Sequence, residues 1–193
     1  MMMVLATQNK GKIREVKEIL SEYEIKTPAD FDIFDDIEEN GTTFEENAYI
    51  KAKYIAEKTG KITIADDSGL EVDYLNGEPG IYSARFAGEG ATDEDRNKKL
   101  LSLLKDVPFE KRSARYVCSI AIVYPNGEHH VFTETCEGYI TDERQGDGGF
   151  GYDPYFYFEE FKTTLANVPL EQKNKVSHRS KALLKLKEFL NKN

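Results

Sequence analysis

The spacing of apolar residues in the first third of the chain predicts a strand followed by two helices. Residues 2–7 (MMVLAT) form an apolar run typical of a buried strand, and residues 12–23 then carry apolar side chains at helical intervals. A second amphipathic helix is predicted over residues 43–59. Its start resembles a capping box, with Thr43 as the N-cap and Glu46 three residues later.

The middle of the chain predicts a short strand, a turn and a third helix. Residues 61–65 (KITIA) have the β-branched composition of a strand, and residues 66–69 (DDSG) are typical of a turn. Thr92 is in the position of an N-cap for the helix that follows.

The last part of the chain predicts a hairpin, a short strand and a final helix. Residues 114–124 and 130–140 read as strands, and Asn126-Gly127 between them is a strong hairpin signal. Residues 155–158 (YFYF) form a short aromatic strand, and the final helix begins after Ser177 as its cap. This order predicts an α/β fold, a mixed sheet with flanking helices, in one domain over residues 1–193.

Composition narrows the class of protein. Hydrophobic residues make up 39% and charged residues 32% of 193, which is typical of a globular chain with a real core. The net charge of −9 argues against a protein that coats nucleic acid or an anionic membrane. Acidic residues cluster between Asp30 and Glu46, where eight occur without a basic one, whereas the chain from Lys162 onward is largely basic.

The remaining composition signals favour the cytoplasm. The two cysteines, Cys118 and Cys136, each lie in a strand-like run, which favours small core residues in a reducing compartment over a disulfide framework. The N-terminus lacks the basic region and cleavage site of a signal peptide, and no apolar run is long enough to cross a membrane.

The first candidate site is the polar turn in LATQNKGK, between the first strand and the first helix. Backbone N–H groups at a helix N-terminus favour anions. Thr7 and Asn9 can hydrogen-bond phosphate oxygens, and Lys10 and Lys12 add positive charge. A capped strand–helix turn with surface lysines is the alternative explanation of the same residues.

The second candidate site is the pair of adjacent aspartates, Asp66 and Asp67. Side chains alternate along a strand, so the two carboxylates should point in opposite directions and at most one of them can face a given site. Asp67 with a glutamate before the second helix would suit Mg²⁺, which takes one or two protein carboxylates and fills its other positions with substrate phosphates. The alternative is an ordinary turn in which Asp and Ser satisfy backbone N–H groups.

Two further segments have ligand-binding character. The loop GGFGYDP interleaves glycines with Phe150 and Tyr152, as expected where the backbone approaches a flat ligand, and Asp153 can accept hydrogen bonds from a base or ribose. His178 and Arg179, with Lys173 nearby in sequence, bring donors to the start of the last helix. A phosphate-binding turn, an acidic metal site, a base-reading loop and a basic segment together match a nucleoside triphosphate with Mg²⁺.

These motifs resemble those of the non-canonical purine nucleoside triphosphate pyrophosphatases, the inosine triphosphate pyrophosphatase or XTP/dITP diphosphatase family. ATQNKGK, GTTFEENA, ADDSGLEV, GEPGIYSARFAG, GGFGYDP and SHRSKA occur in the order and spacing of that family. The resemblance covers nearly the whole chain. It implies hydrolysis of ITP, dITP and XTP to monophosphate and pyrophosphate, an elongated sheet in two lobes around a central cleft, Mg²⁺ dependence and a homodimer.

The resemblance also implies roles for individual residues. The proton acceptor and metal ligand falls on Asp67, and the second metal ligand falls on Glu38, with Glu39 the alternative because the preceding loop varies in length. Nucleotide contacts fall on the following residues: Thr7, Gln8, Asn9, Lys10, Gly11, Lys12, Lys51, Ser68, Phe150, Gly151, Tyr152, Asp153, Lys173, His178 and Arg179.

Three rival functions stay open at this point. A related pyrophosphatase would act on modified pyrimidine or methylated nucleotides, and a regulatory module would bind a triphosphate without cleaving it. A phosphomonoesterase would release orthophosphate. The acidic pair of Asp67 and Glu38 argues against the regulatory module, because an anion-binding site has no need of carboxylates without a metal.

Overall fold

The structure, a computed structural model, describes residues 1–192 and has the mixed α/β architecture predicted from the sequence. Its α-helices are α1 (Lys10–Ile19), α2 (Phe44–Thr59), α3 (Asp93–Leu103), α4 (Leu170–Val176) and α5 (His178–Lys192). Its strands are β1 (Met2–Leu5), β2 (Glu24–Lys26), β3 (Thr63–Val72), β4 (Ser113–Val123), β5 (His129–Ile140), β6 (Phe156–Phe158) and β7 (Thr163–Thr164). Within residues 1–192, every helix is too short or too polar to span a bilayer.

The seven strands form one sheet in the order β2-β1-β3-β4-β5-β6-β7. β1 pairs in parallel with β2 and β3, whereas β6 pairs antiparallel with β5 and β7, so the sheet is mixed as expected. β4 and β5 are joined by the predicted Asn126-Gly127 turn, where Gly127 N–H donates to the carbonyl of Tyr124.

The chain folds into two compact units whose boundaries lie within β3, β4 and β5 and between α4 and α5. The first unit contains residues 1–68, 118–134 and the chain from 178 onward, and the second contains residues 69–117 and 135–177. Each unit has a hydrophobic core of its own.

The sheet of the first unit is covered by helices on both faces. On one face, Ile64 of β3 packs in a core cluster with residues of α1 and α5, including Leu183. On the other face, Ala65 packs with residues of α2, including Ala52. Successive residues of β3 therefore face different helices, as the alternation of side chains along a strand requires.

The core of the second unit lies against the continuation of β3 and against α3. Leu70 and Val72 of β3 pack there with Leu100 and Leu104, and all four are fully buried. Thr92 is the N-cap of α3 as predicted, and it forms a capping box in which its side chain and that of Asp95 each accept the other's backbone N–H.

Three local predictions differ from the structure. The segment 66–69 is not a turn, because Leu70 and Val72 continue the buried alternation and β3 runs through it. Glu46 accepts mainly from the backbone N–H of Thr42, one residue before the predicted donor, although Thr43 caps α2 as predicted. A seven-residue helix, α4, precedes the predicted final helix, and Ser177 is its C-cap.

The packing of α3 gives a direct test of the second core. Leu100→Ala removes a fully buried side chain and should lower the free energy of unfolding by about 2–5 kcal/mol. Leu103→Ala on the same helix removes a side chain that is 43% exposed and should change it by no more than about 0.5 kcal/mol. Urea unfolding of both variants measures the difference, and equal effects would contradict this packing.

Candidate active site

The adjacent aspartates of β3 lie on opposite faces of the sheet in the first unit. Asp66 follows Ile64 onto the face covered by α1 and α5, where it contacts Lys12 and Arg179. Asp67 follows Ala65 onto the face covered by α2, where its nearest cation is Lys51. The predicted divergence of the two carboxylates is therefore confirmed.

Asp66 is a buried carboxylate neutralised by two cations. Its Oδ2 atom lies 3.0 Å from Lys12 Nζ and accepts from Arg179 Nε at 3.3 Å. Arg179 in turn donates to Glu15 of α1 and, through Nη2, to Ser68 Oγ at 3.1 Å. Burial acts to raise the pKa of Asp66, but the charges of Lys12, Arg179 and Lys51 outweigh it and hold that pKa well below its usual range.

Asp67 has the opposite electrostatic environment. Burial raises its pKa to about 6, the negative charges of Glu39 and Asp66 act in the same direction, and Lys51 and Lys12 oppose the shift only in part. Its buried Oδ2 atom has no hydrogen-bond partner among residues 1–192. A buried carboxylate oxygen without a partner is costly, so this atom is suited to a group that a ligand or solvent would bring.

Lys51 joins Asp67 to Glu39. Its Nζ atom lies 2.5 Å from Glu39 Oε1 and 3.8 Å from Asp67 Oδ1. Burial acts to lower the pKa of Lys51, but the charges of Asp66, Asp67 and Glu39 raise it overall, so the ammonium group stays charged. Glu38 is exposed, and no ion pair of residues 1–192 involves it.

A cavity of about 390 Å³ in the first unit collects several of the predicted residues. Thr7, Gln8, Glu39 and Lys51 all contribute to its lining, together with the acidic segment around Asp35. The predicted phosphate-binding turn and one of the two alternative glutamates thus line the same space.

The turn that precedes α1 is organised largely by its own side chains. Asn9 is the N-cap, and its Oδ1 accepts from the backbone N–H of Gly11 and Lys12 at 2.9 and 3.1 Å. Thr7 Oγ1 accepts from the N–H of Asn9. Gln8 and Lys10 are exposed, and Gly11 is half-buried. Asn9 occupies the backbone N–H groups of Gly11 and Lys12. A phosphate would therefore contact the side chains of this turn more readily than these N–H groups.

His178 and Ser68 complete the predicted residues of the first unit. His178 is buried at the first position of α5, immediately before Arg179. Ser68 is half-buried, and its hydroxyl lies between Arg179 and Asp66. Arg179 was predicted as a nucleotide contact, and its guanidinium is engaged mainly with Glu15, Asp66 and Ser68.

In the second unit, Asp153 organises the glycine-rich loop. Its Oδ1 accepts from the hydroxyl of Tyr116 at 3.0 Å, and its Oδ2 accepts from Lys173 Nζ at 2.7 Å and from the backbone N–H of Phe150 at 3.1 Å. Both oxygens of this buried carboxylate are thus occupied. The sequence suggested that Asp153 accepts hydrogen bonds from a base or ribose. In the structure it accepts them from Tyr116, Lys173 and Phe150, and these bonds hold the loop in position.

The two aromatic residues of the loop differ in exposure. Phe150 is 37% exposed, and Lys173 Nζ lies 4.8 Å from the centre of its ring. Tyr152 is buried and donates its hydroxyl to the carbonyl of Ser83 at 2.7 Å. Gly151 between them has a φ of 62°, a conformation that side-chain-bearing residues rarely adopt.

The sequence analysis did not identify several residues that hold the charged side chains of the site in place. Glu15 lies three residues after Lys12 on one side of α1, and that spacing was the only available signal for its part in the Asp66 cluster. Tyr116 gave no signal, because its contact with Asp153 joins residues 37 positions apart.

The neighbouring aspartates should respond in opposite ways to the same substitution. The pKa of Asp67 is 3.8 in the unfolded chain and about 6 in the folded protein. Between these pH values the folded protein keeps a proton that the unfolded chain has lost, so the free energy of unfolding falls as the pH rises from 3.8 to about 6. With a chelator present, Asp67→Asn should raise the free energy of unfolding at pH 7 by up to about 3 kcal/mol, and the gain should vanish below pH 4.

Asp66→Asn is the matched comparison. It removes the negative charge that Lys12 and Arg179 share, leaving Arg179 with Glu15 alone, and should lower the free energy of unfolding by about 3–5 kcal/mol at pH 7. Denaturant titrations at pH 4 and pH 7 measure both variants. The same sign of change for the two at pH 7 would contradict the assigned environments.

Comparison with known proteins places the chain in a family. The model of the Ham1 family matches residues 3–189. A protein named dITP/XTP pyrophosphatase from Desulforamulus reducens is 53% identical, with 100% of this chain and 96% of the relative covered. Another of that name, from Thermoanaerobacter pseudethanolicus, is 50% identical, covering 98% and 96%.

Solved structures agree with the sequence relatives. The Ham1 protein of Staphylococcus aureus superposes with a TM-score of 0.91 at 44% identity, covering 99% of this chain and 98% of that one. A HAM1 protein from Coxiella burnetii superposes with a TM-score of 0.93 at 40% identity over 100% of both chains. A match to the family model over nearly the whole chain, and relatives at about half identity, lead to one conclusion: this chain belongs to the Ham1 family.

Proposed function

We propose that this protein hydrolyses non-canonical purine nucleoside triphosphates, ITP, dITP and XTP, to the monophosphate and pyrophosphate. The observation that carries the proposal is the environment of Asp67, a buried carboxylate with a raised pKa and a free oxygen, beside Lys51 and Glu39. The names of its Ham1 relatives, dITP/XTP pyrophosphatases, point to the same activity.

The residues around Asp67 fit a Mg²⁺ ion that arrives with the substrate. Residues 1–192 contain no group of three or more acidic, histidine or cysteine side chains able to hold a metal by themselves. Mg²⁺ needs only one or two protein carboxylates when phosphates supply the other ligands. Asp67 offers its unpartnered oxygen, and Glu39, which shares Lys51 with Asp67, is the second ligand we propose in preference to the exposed Glu38.

Asp67 is the proton acceptor in the proposed reaction. The oxygen of a water molecule attacks the α-phosphorus, the bond from that phosphorus to the bridging oxygen of the β-phosphate breaks, and the proton of the water passes to Asp67. Without a bound metal the pKa of Asp67 is raised to about 6, so the carboxylate is ionised at neutral pH and can accept a proton. Bound Mg²⁺ would neutralise charge on the phosphates and on the leaving pyrophosphate.

Basic and polar groups of the first unit are proposed to bind the triphosphate. Lys12 and Lys51 are held by carboxylates in the positions described above, so they provide charge at fixed points. The exposed Lys10 and Gln8 and the hydroxyl of Thr7 add contacts from the turn before α1. Positioning and electrostatic stabilisation account for much of phosphoryl-transfer catalysis, and these residues supply both.

The base is proposed to be read by aromatic and donor groups. Phe150 presents a partly exposed ring suited to stacking on a purine, and Gly151 and Tyr152 follow it in the glycine-rich loop. His178, at the start of α5, is the proposed donor toward a 6-keto oxygen, whereas Arg179 and Ser68 hold the carboxylate of Asp66. A site with donors that a 6-amino group leaves unsatisfied rejects the wrong base strongly.

We also propose that the enzyme acts as a homodimer in the cytoplasm. Tyr82 and Arg85 are exposed on the short 3₁₀ helix Gly80–Arg85, where they are accessible to a partner, whereas Phe86 belongs to the core. Cys118 and Cys136 are both buried, and neither forms a disulfide within the described residues, as suits a reducing compartment.

The activity is tested with Mg²⁺ and ITP, XTP, GTP, ATP and dTTP in parallel, with both products identified. Monophosphate and pyrophosphate from ITP and XTP, with GTP and ATP largely spared, is the expected result. Orthophosphate as product would indicate a phosphatase, and cleavage of a different base would indicate a related pyrophosphatase. Binding without turnover would indicate a regulatory module, and each of these three outcomes contradicts the proposal.

Substitutions at the carboxylates test the assigned roles. Asp67→Asn should lower kcat by at least about 100-fold, because an amide cannot accept the proton. Glu39→Gln should raise the Mg²⁺ concentration for half-maximal rate by about tenfold or more, whereas Glu38→Gln, its matched control, should leave it unchanged. The reverse order for the two glutamates would assign the second ligand to Glu38.

A further inference from the structure

Two side chains of α3 hold the backbone of the glycine-rich loop at Gly151. Asp93 Oδ2 accepts from the N–H of Gly151 at 2.9 Å, and Asn97 Nδ2 donates to the carbonyl of Gly151 at 3.0 Å. Asp93 and Asn97 are four residues apart and so lie on one side of the helix. Both polar groups of a single glycine are therefore held by one rigid element.

The geometry of these bonds fixes Phe150 as well as Gly151. The N–H of Gly151 belongs to the peptide unit that joins it to Phe150, and its carbonyl belongs to the unit that joins it to Tyr152. Gly151 has a φ of 62°, and a Cβ built there would meet nothing within 4 Å, so its backbone conformation and not crowding requires glycine. Glycine by itself would leave both peptide units free to rotate.

The burial of Asn97 indicates that its bond to Gly151 matters. The residue is 1% exposed, and its Oδ1 has no hydrogen-bond partner among residues 1–192. Turning the amide around would bring that oxygen against the carbonyl of Gly151, so only the observed orientation satisfies the loop. Asp93 is fixed in turn by Arg96, whose guanidinium also donates to the carbonyls of Ala84 and Ala91.

We propose that Asp93 and Asn97 are positioning residues that hold Gly151 so that the ring of Phe150 is set in the orientation that stacks on the purine base. The proposal rests on the nucleotide-binding role given to Phe150 under the proposed function. Neither side chain touches the substrate. Their effect is on base recognition, because the ring must occupy one orientation before the base arrives for stacking to contribute fully to binding.

The experiment compares Asp93→Ala and Asn97→Ala with Asp95→Ala as the matched control. Asp93→Ala removes the acceptor for the N–H of Gly151, and Asn97→Ala removes the donor to its carbonyl without adding a charge at this buried position. Asp95→Ala breaks the capping box of the same helix but leaves both bonds to Gly151 in place. Asp93→Asn, which keeps an oxygen for the N–H, serves as the conservative rescue.

Two readouts separate positioning from loss of stability. Hydrogen exchange of the amides in residues 149–153 should become about tenfold faster in Asp93→Ala and Asn97→Ala, as expected for one lost hydrogen bond, but not in Asp95→Ala. The KM for ITP should rise about tenfold in the first two variants with kcat changed less than threefold, and Asp93→Asn should restore most of it.

The outcomes distinguish this proposal from the proposed function. Unchanged loop exchange and unchanged KM in both variants would overturn the role of Asp93 and Asn97, as would effects equal to those of Asp95→Ala. If the unaltered protein does not hydrolyse ITP, the proposed function fails. The exchange measurement then still decides whether α3 holds the loop, because it needs no substrate.

Discussion

The ion pairs of the buried carboxylate of Asp66 with Lys12 and Arg179 are the contacts on which the rest of the site depends. An ionised carboxylate is costly to bury unless cations and hydrogen bonds surround it. Here they come from α1 and α5, so the cluster also ties both helices to β3. Asp66 is thereby kept ionised, and its negative charge contributes to the raised pKa of the neighbouring Asp67.

The same chemical group therefore has a structural role at one position of β3 and a reactive character at the next. Each aspartate has one buried oxygen without a hydrogen-bond partner among residues 1–192, but Asp66 has two cations, Lys12 and Arg179, on its face of the sheet, whereas Asp67 shares its one close cation, Lys51, with Glu39. In the second unit, Asp153 also has a structural role, since both its oxygens accept hydrogen bonds within the glycine-rich loop and from Tyr116 and Lys173. A carboxylate in a family motif is thus not by itself a ligand contact.

Local patterns made the element types and the opposed aspartates predictable. Thr92 was recognisable as a cap because capping is a contact between near neighbours. The prediction of a turn at 66–69 was wrong. The apolar alternation continues through Leu70 and keeps this segment in β3, although Asp-Ser-Gly by itself is typical of a turn.

The sequence could not reveal the roles of residues that depend on contacts with distant positions of the chain. The choice between Glu38 and Glu39 could not be made, because an irregular loop has no periodicity to show which side chain turns toward Lys51. The role of Asn97 could not be predicted, because its partner Gly151 is 54 positions away.

The central claim is that one of the two adjacent aspartates is held ionised while the other is free to exchange a proton and to bind a cation. Carbon-13 NMR of the side-chain carboxyls, titrated with a chelator and then with Mg²⁺, tests it directly. Asp66 should remain ionised through pH 4, and Asp67 should titrate with a midpoint near 6 and shift when Mg²⁺ is added. Both carboxyls titrating together near pH 4, or Mg²⁺ moving the signal of Asp66 and leaving that of Asp67, would contradict it.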